Sequence, residues 1–241
     1  MRAVITAGGT VDGAFAEAAG TPVKALARFG ARTLLDVALD ACAAAGIGER
    51  AVVGGPQVRA HLAGRDVRVL DAVADGRTNL LRALDAWPGE RIVFLTSDLP
   101  FVSGDGLRDF VARSAPFAVT MALADVEAYT VRFPDAPEHS VAIGGERVAN
   151  GNAFVIAPEA VAPLRAFATR FFAARKSLPR MALLLGPSLI ARYVTKRLTI
   201  AAVEAHASRR LGVPVAAVRG CDPGLCYDVD TVEEYAYAQR A

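Results

Sequence analysis

The sequence predicts an α/β fold in which a mixed, mostly parallel sheet is sandwiched by helices. Short apolar runs alternate with longer segments of helical periodicity through the first half of the chain, a pattern typical of parallel sheets with right-handed crossovers. Residues 92–95, IVFL, are apolar at every position, as expected for a strand buried on both faces. With 241 residues, 53% of them hydrophobic, the chain can form one such domain carrying an insert. We therefore expect a single domain over residues 1–241.

A carboxylate directly follows this central strand. The strand ends at Thr96, Ser97 and Asp98, and Pro100 prevents its continuation. In open α/β sheets, ligands bind at the carboxyl ends of the strands. Asp98 is therefore a candidate ligand-binding residue. The alternative is that Asp98 caps the following helix, and its position alone favours neither interpretation.

The first strand, at residues 3–6, leads into a glycine-rich turn. Gly8 and Gly9 permit close approach of the backbone to a ligand and leave N–H groups free to point at an anion. Residues 11–22 are small and show no periodicity, so we expect a long, structureless loop of the kind that is often functional. Lys24 then places a cation where the loop returns to the fold. In isolation, Lys24 would be an ordinary surface lysine.

The elements between the first strand and the central strand follow from local signals. Thr33 is a suitable N-cap for a helix that Gly46 closes. The sequence then predicts a strand at 51–53, a helix at 58–62, a strand at 67–70, a loop at 71–78 and a helix at 79–86. In that last helix, Thr78 or Asn79 is the expected cap. Beyond Asp98 we expect a helix at 105–113 and a strand at 117–123.

The pattern changes after residue 128. Strand-like runs at 129–133, 141–143 and 153–156 are separated by turn residues at 144–145 and 150–152, which predicts an antiparallel excursion. Residues 158–211 are almost wholly helical in pattern and form the expected helical insert. A late strand at 214–219 precedes a closing helix, whose N-cap is Asp230 or Thr231.

Composition and charge bear on the partners and the compartment of the protein. A net charge of +2 is too small to indicate nucleic-acid binding. Three cysteines suit a reducing cytosol better than a disulfide framework, and no secretory signal is visible, so we expect a cytoplasmic protein. The apolar run 181–194 is too short to span a bilayer and contains Gly186, Pro187 and Arg192. It predicts two helices joined by a turn, with contact to a membrane surface as the alternative.

Four features, in order, resemble the NTP-transferase (nucleotidyltransferase) family of GT-A-like fold. They are ITAGG at residues 5–9 with the returning Lys24, DLP at 98–100, the Gly–Asn pair at 151–152 and DVDTVEE at 228–234. Members of this family open with a similar AGG loop that ends in a lysine, carry D-x-P after a central strand and often close with D-x-D-T. The nearest well-known branch is molybdenum-cofactor guanylyltransferase-like, and this chain resembles an uncharacterised subgroup beside it.

The resemblance implies a Rossmann-like fold of the nucleotide-diphospho-sugar transferase type. It also implies transfer of an NMP moiety from an NTP to a small, phosphorylated acceptor, with release of pyrophosphate. Catalysis is expected from Lys24 and Asp98. The expected nucleotide-binding residues are Ala7, Gly8, Gly9, Thr10, Lys24, Gly54, Gly55, Arg77, Thr78 and Asn79. The expected acceptor-binding residues are Asn150, Gly151, Asn152, Arg175 and Lys176, although the last two side chains could instead snorkel at the surface.

Phosphoryl transfer of this kind depends on positioning and charge neutralisation, which calls for carboxylates that hold Mg²⁺. Magnesium uses few protein carboxylates together with water and phosphate oxygens. We expect Asp98 and Asp228 to be the metal ligands. Asp230 faces the same way as Asp228 if the segment is extended, so it is an alternative ligand unless it only caps the last helix.

One departure from the family pattern bears on substrate and rate. The family loop usually carries an arginine ahead of its lysine, whereas residues 11–23 contain none. Arg77, Arg175 or Lys176 are candidates to supply that charge. Two other functions stay open: a non-catalytic nucleotide-binding protein, which the missing arginine and the apolar insert favour, and a glycosyltransferase of the same fold, which the pairing of the AGG loop with Lys24 disfavours.

Overall fold

The computed structural model describes residues 1–137 and 140–241. Most of its strands are short, as expected for an α/β protein. In chain order they are β1 (Arg2–Ala7), β2 (Arg28–Phe29), β3 (Arg32–Thr33), β4 (Arg50–Gly54), β5 (Arg68–Asp71), β6 (Ile92–Thr96), β7 (Val119–Asp125), β8 (Ser140–Ile143), β9 (Glu146–Ile156) and β10 (Val215–Val218).

The helices alternate with these strands in the first half of the chain and accumulate in the second half. They are α1 (Gly13–Ala19), α2 (Leu34–Ala44), α3 (Pro56–His61), α4 (Gly76–Leu84), α5 (Gly104–Arg113), α6 (Val126–Arg132), α7 (Pro158–Ala174), α8 (Leu178–Leu185), α9 (Pro187–Val194), α10 (Ile200–Leu211) and α11 (Val232–Ala238). The predicted helical segment after residue 158 is therefore four helices, α7 to α10. Gly186 separates α8 from α9, as the sequence predicted.

In the described residues, eight strands form one mixed sheet. Seven of them lie in the order β10-β7-β9-β6-β1-β4-β5, and β8 pairs with β9. The pairs β1–β4, β1–β6, β4–β5 and β7–β10 are parallel. Strand β9 is antiparallel to β6, β7 and β8. The predicted fold class, a mostly parallel sheet between helical layers with an antiparallel excursion, is confirmed.

The sheet topology brings the first and the central strand together. The chain leaves β1 for β4 on one side, and β6 lies on the other side of β1, which makes this a topological switch point. Thr6 is paired with Thr96. The turn at Gly8 and the side chain of Asp98 lie two residues beyond these partners, so they emerge side by side at the carboxyl edge of the sheet.

The two faces of the sheet are packed differently. The larger buried cluster lies beneath α2, α5 and α11, where Leu39, Leu107 and Phe110 are fully buried. A smaller cluster lies beneath α4 and α7 and includes Val4 and Leu84. The face below the helical insert therefore contributes fewer buried residues to the core.

The segment expected to be a structureless loop contains helix α1. Its buried residues are Phe15 and Ala19, and the Phe15 ring lies 5.3 Å from the ring of Tyr235 in α11. A seven-residue helix is not stable alone, so this contact with the other end of the chain stabilises it. The prediction was wrong because the local sequence carries no sign of that partner.

Two predictions in the antiparallel region were also wrong. Residues 129–133, expected as a strand, lie in and just after helix α6, where Tyr129 and Phe133 are four residues apart and both buried. This spacing places them on one helical face. Asn150, Gly151 and Asn152, expected as a turn, lie inside the long strand β9. A Cβ at position 151 would meet Ala122 and the Leu225 carbonyl oxygen at 2.9 Å, so the glycine permits close strand packing.

For α4 the sequence predicted the wrong N-cap, and for the helix after β6 it left open whether Asp98 is the cap. Helix α4 begins at Gly76, and its N-cap is Asp75, whose carboxylate accepts from the backbone N–H groups of Arg77 and Thr78. The helix after β6 is capped by Ser103, not by Asp98. The capping alternative for Asp98 is therefore excluded, because its carboxylate is used elsewhere.

The predicted N-cap of α2 is confirmed, and it is part of a charged cluster. Asp36 accepts hydrogen bonds from the backbone N–H (3.0 Å) and hydroxyl (2.7 Å) of Thr33. It also contacts His61 Nε2 at 3.0 Å and the Arg65 guanidinium. Although burial opposes ionisation, the bonds from Thr33, His61 and Arg65 hold the pKa of Asp36 well below its ordinary value.

Replacing Asp36 with asparagine should destabilise the fold by about 1–3 kcal/mol at pH 7. Because the folded-state pKa is depressed, the carboxylate stabilises the fold above its unfolded pKa of about 3.9 and loses this effect as the pH falls toward the folded value. The stability difference between the variant and the wild type should therefore begin to shrink below about pH 4 and go on shrinking as the pH approaches the folded pKa. Asp40 lies on the same helix and forms an exposed ion pair with Arg32 of β3, so Asp40→Asn is the matched control. Equal stability of wild type and Asp36→Asn at pH 7 would contradict this assignment.

Candidate functional site

A cavity of about 570 Å³ opens at the carboxyl ends of β1 and β6. This is the edge where the sequence predicts ligand binding. The residues that line it come from the first turn, the ends of β4 and β6, and the start of α4. They are Thr6, Gly8, Gly9, Thr10, Lys24, Val53, Val73, Ala74, Gly76, Asn79, Leu80, Phe94, Thr96, Ser97 and Asp98. We call this the polar cavity.

Backbone contacts return the first loop to the cavity. Thr10 and Val23 form an isolated antiparallel bridge, and Val11 N–H donates to the Pro22 carbonyl at 2.9 Å. The Lys24 N–H donates to the Gly9 carbonyl at 3.1 Å. Helix α1 lies between the two arms of this closed loop. The loop therefore holds Lys24 beside the glycine turn, as predicted from the sequence.

The Lys24 ammonium joins two carboxylates that are distant in the sequence. Its Nζ lies 2.5 Å from Asp98 Oδ2 and also donates to Asp230 Oδ1. The side chains of Lys24 and Asp98 are only 12% and 14% exposed, whereas that of Asp230 is 65% exposed. Burial disfavours the ammonium charge, but Asp98 and Asp230 together hold the pKa of Lys24 above its ordinary value. Lys24 is therefore a cation at the cavity wall and not a free surface lysine.

The carboxylates around Lys24 fit a divalent cation. Asp98, Asp228 and Asp230 each offer an oxygen, and these three atoms lie within 4.8 Å of one another. Asp98 Oδ1 is buried and has no hydrogen-bond partner among the described residues. An oxygen of this kind is costly to bury without a partner, and a hard cation bound by carboxylates would supply one. The donor set thus fits Mg²⁺ or Mn²⁺.

Asp230 joins this cluster because it is not the cap of the last helix. Thr231 caps α11, and it forms a capping box with Glu234. The Asp230 N–H donates to Glu234 at 2.6 Å, which directs the backbone while the carboxylate contacts Lys24. The sequence left Asp230 open as a ligand or a cap, and the structure adds it to the site.

Two further cavity residues, Thr96 and Ser97, were not singled out from the sequence as site residues. Thr96 lies two residues before Asp98 on the same side of the chain, and its hydroxyl is buried without a hydrogen-bond partner among the described residues. Ser97 is 5% exposed and also lines the cavity. The alternation of side chains along an extended strand could have identified Thr96, because it shares a side with Asp98, whereas Ser97 falls on the opposite side in that pattern.

The wall near α4 is held by Asn79. Its amide donates to the Val73 carbonyl and accepts from the Val73 N–H, both at 2.8 Å. A Cβ at position 8 would meet Asn79 Nδ2 and Ala72 Cβ at 3.3 Å, so the glycine lets the turn approach this wall closely. Asn79 therefore orders the loop at residues 73–74 that lines the cavity.

Half of the predicted nucleotide-binding residues line the polar cavity, and the other half do not. Those in the lining are Gly8, Gly9, Thr10, Lys24 and Asn79. The side chains of Arg77 and Thr78 contact Asp75 instead, at 3.6 and 2.6 Å. Ala7 and Gly54 are buried partners in adjacent strands, and Gly55 is the N-cap of α3. The missing loop arginine is thus not supplied by Arg77 in this arrangement.

The predicted acceptor residues lie outside the polar cavity. Asn152 precedes Ala153, which pairs with Leu95, so it lies beside the carboxyl end of β6. Asn150 lines a separate cavity below the insert. Gly151 is buried in the sheet. Arg175 and Lys176 lie at the end of α7 and are exposed.

The chain matches a known protein family over most of its length. The family model of the MobA-like NTP transferase domain matches residues 3–223. The chain belongs to this family. The match spans the glycine turn, Lys24, Asp98 and the helical insert, so the predicted family and its Rossmann-like fold are confirmed.

Solved structures with the same fold include transferases of several kinds. A hypothetical transferase from Thermus thermophilus is 28% identical, with a TM-score of 0.84, over 97% of this chain and 99% of that chain. The 2-C-methyl-D-erythritol 4-phosphate cytidylyltransferase of the same species is 20% identical, with a TM-score of 0.58, over 99% and 97%. A Mycobacterium tuberculosis H37Rv protein solved with manganese is 20% identical, with a TM-score of 0.54, over 100% and 97%. No curated protein matches this chain by sequence.

The hydropathy of the helices bears on membrane association. Within residues 1–137 and 140–241, no helix combines the length and apolar character that a transmembrane segment requires. The apolar run at residues 181–194 is divided between the two short helices α8 and α9.

Proposed function

We propose that this NTP-transferase family member is a nucleotidyltransferase that moves an NMP moiety from an NTP to a small phosphorylated acceptor, releasing pyrophosphate. One observation carries the proposal: Lys24 contacts Asp98 and Asp230 beside the Gly8–Gly9 turn, at the wall of a cavity large enough for a nucleotide. This arrangement combines backbone N–H groups, a partly buried cation and a carboxylate cluster. These are the groups that phosphoryl transfer requires.

Different residues of the polar cavity are suited to the phosphates and to the nucleoside of the NTP. Backbone N–H groups at Gly8, Gly9 and Thr10 are suited to the phosphates, and Lys24 to the phosphate that is transferred. The loop held by Asn79 borders the nucleoside end of the cavity. Asp98, with Asp228 and Asp230, would hold Mg²⁺, which supplies charge neutralisation at the phosphates when bound.

The lining of the polar cavity favours an acceptor that is already an anion. Among its described residues it contains no histidine, and Lys24 holds the Asp98 carboxylate. An alcohol acceptor would need a base to take its proton, whereas a phosphomonoester is mostly a dianion at pH 7, with a second pKa of about 6. We therefore propose a phosphate oxygen as the nucleophile, with Arg175, Lys176 and Asn152 on the acceptor side.

Location and domain organisation complete the proposal. All three cysteines, Cys42, Cys221 and Cys226, are free and buried, which supports a reducing compartment such as the cytoplasm. We also propose one domain over residues 1–241, in which α7 to α10 form the helical insert at 158–211.

A thermal-shift panel of NTPs, nucleotide-sugars and nucleosides, each with and without Mg²⁺, tests the proposal. A bound ligand at about 100 times its Kd adds roughly 2.7 kcal/mol of stability, which raises the melting temperature of a chain of this size by about 5–11 °C. One NTP should give such a shift only with Mg²⁺, and its nucleoside should not. A larger shift with a nucleotide-sugar would favour a glycosyltransferase. No shift with any ligand would contradict both enzyme functions.

A further inference from the structure

Two apolar cavities lie between the sheet and the helical insert. The first, of about 700 Å³, lies beneath α4 and α7, and the second, of about 540 Å³, continues beneath α10. Four residues line both: Val119, Met121, Phe154 and Phe167. We call the two cavities together the apolar cleft. It adjoins the polar cavity, because Leu80 and Phe94 line both spaces.

The cleft offers almost no polar partner to a ligand. All residues that line its first part are apolar. In the second part, the hydroxyl of Thr120 donates to Ser114 at 2.7 Å, and the carboxylate of Glu204 accepts from the Ala217 N–H at 2.8 Å. These two polar groups are therefore engaged within the protein, and Asn150 is the one other polar residue of this lining. A ligand in the cleft must bind chiefly through apolar contact.

The cleft is also less completely buried than the rest of the interior. Met121, Phe154 and Phe167 are partly exposed, whereas Leu107 and Phe110 on the opposite face of the sheet are fully buried. Aromatic and aliphatic surface that stays in contact with water is unfavourable. An apolar ligand that covers it would be bound by the same effect that packs the core.

The path from the site into the cleft is long. Along β6, Phe94 lies four residues before Asp98, a distance of roughly 13 Å in an extended strand. From β6 the cleft crosses β9 and β7 to β10, which is three strand spacings or roughly 14 Å. A compact polar acceptor would not use this path, but an acceptor with an extended hydrocarbon chain would fill it.

Basic side chains lie near the point where the apolar cleft meets the polar cavity. The ring of Phe172 lines the cleft and lies against Gly76, where a Cβ would meet its Cε1 at 3.7 Å. Gly76 lines the polar cavity. The Arg175 guanidinium lies over the Phe172 ring, 4.7 Å from its centroid, and Lys176 follows it. The junction thus places positive charge next to an apolar surface.

We propose that the acceptor is amphiphilic: a phosphomonoester whose phosphate lies at the Arg175 junction and whose long alkyl or isoprenoid chain lies in the apolar cleft. The inference rests on the proposed function and names the substrate class of that site. A phosphate oxygen of the acceptor forms a bond to the α-phosphorus of the NTP. The bond from that phosphorus to the α–β bridging oxygen breaks, and pyrophosphate leaves with the electron pair.

Calorimetry with alkyl phosphates of increasing length tests this inference. Each methylene that enters the cleft should raise affinity about fourfold, so each pair of carbons from butyl to hexyl to octyl phosphate should raise it about 15-fold. All titrations stay below the micelle concentration. Equal affinities along the series, or no binding at these concentrations, would overturn the inference.

Variants that narrow the apolar cleft test where the alkyl chain of the acceptor binds. Ala168 is buried on α7 and lines the cleft, whereas Ala166 is exposed on the same helix. Ala168→Phe should remove the dependence on chain length and leave NTP affinity unchanged, and Ala166→Phe should change neither. If Ala168→Phe does not fold, Ala207→Phe, which narrows the part beneath α10, should shorten the longest chain that still gains affinity. If affinity still depends on alkyl length in a folded cleft variant, the alkyl chain binds elsewhere and the inference is overturned.

The same titrations separate this inference from the proposed function. NTP binding without any dependence on chain length would contradict the amphiphilic acceptor and leave the nucleotidyltransferase intact. A dependence on chain length with no NTP binding under any condition would contradict the nucleotidyltransferase itself. Octanol is the control for the phosphate: if it binds as tightly as octyl phosphate, the junction does not recognise an anion, and the inference is wrong.

Discussion

Asp98→Asn should abolish the Mg²⁺-dependent part of NTP binding, weakening metal affinity by more than about 100-fold. Groups that only orient a metal ligand already contribute 10- to 100-fold, and Asp98 would be a ligand itself. Its carboxylate touches Lys24, and its second oxygen is buried without a partner among the described residues. The asparagine keeps the shape and can still accept a hydrogen bond from Lys24. The fold should therefore survive, which melting curves would show.

The measurement is a calorimetric titration of Mg²⁺ in the presence of the NTP that gives the largest thermal shift. Asp105→Asn is the matched control, because Asp105 is highly exposed and pairs only with Arg108 among the described residues. It should leave metal affinity unchanged. If Asp98→Asn binds Mg²⁺ and NTP as the wild type does, the metal assignment is wrong. If it fails to fold, Asp228→Asn tests the same cluster from another element.

Much of this site could be predicted because its parts are local motifs at the ends of strands. Parallel strands place their carboxyl ends at one edge, so Gly8, Gly9 and Asp98 meet once the strand order is known. Lys24 reaches the same edge through backbone contacts of a closed loop. The family resemblance named these residues, and their types already suited phosphate and metal.

The remaining features depend on contacts that local sequence does not show. Helix α1 forms because Phe15 packs on Tyr235. Asp230 joins the site because Thr231, and not Asp230, caps α11. The apolar cleft arises from how α7 and α10 lie over the sheet. Its lining residues, such as Phe154 and Phe167, look in the sequence like any other core residues.

Lys24→Ala should weaken NTP binding by roughly 10- to 150-fold. A charge-assisted contact to phosphate contributes about 1.5–3 kcal/mol, and each 1.4 kcal/mol corresponds to about tenfold in affinity. Lys24 is the cation that the first loop offers, because residues 11–23 contain no arginine. Binding of the corresponding nucleoside, which has no phosphates, should barely change. Mg²⁺ binding should be retained or strengthened, because a cation that shares Asp98 and Asp230 is removed.

Calorimetry with NTP, nucleoside and Mg²⁺ on Lys24→Ala and on the control Lys196→Ala separates these effects. Lys196 lies in the turn after α9, far along the chain from the cluster, and its substitution should change none of the three affinities. Unchanged NTP affinity in Lys24→Ala would make Lys24 a structural partner of Asp98. The non-catalytic nucleotide-binding protein would then become the better account.

The fate of labelled phosphates tests nucleotidyl transfer most directly. The wild type is incubated with Mg²⁺ and either α- or γ-labelled NTP, with a deproteinised cell extract of small molecules and lipids as the source of acceptor. We expect the γ-label in pyrophosphate and the α-label in a new product that is neither NMP nor NDP, with neither change in Asp98→Asn. A γ-label that appears in orthophosphate or in an organic product, or that stays in bound NTP, would contradict the account.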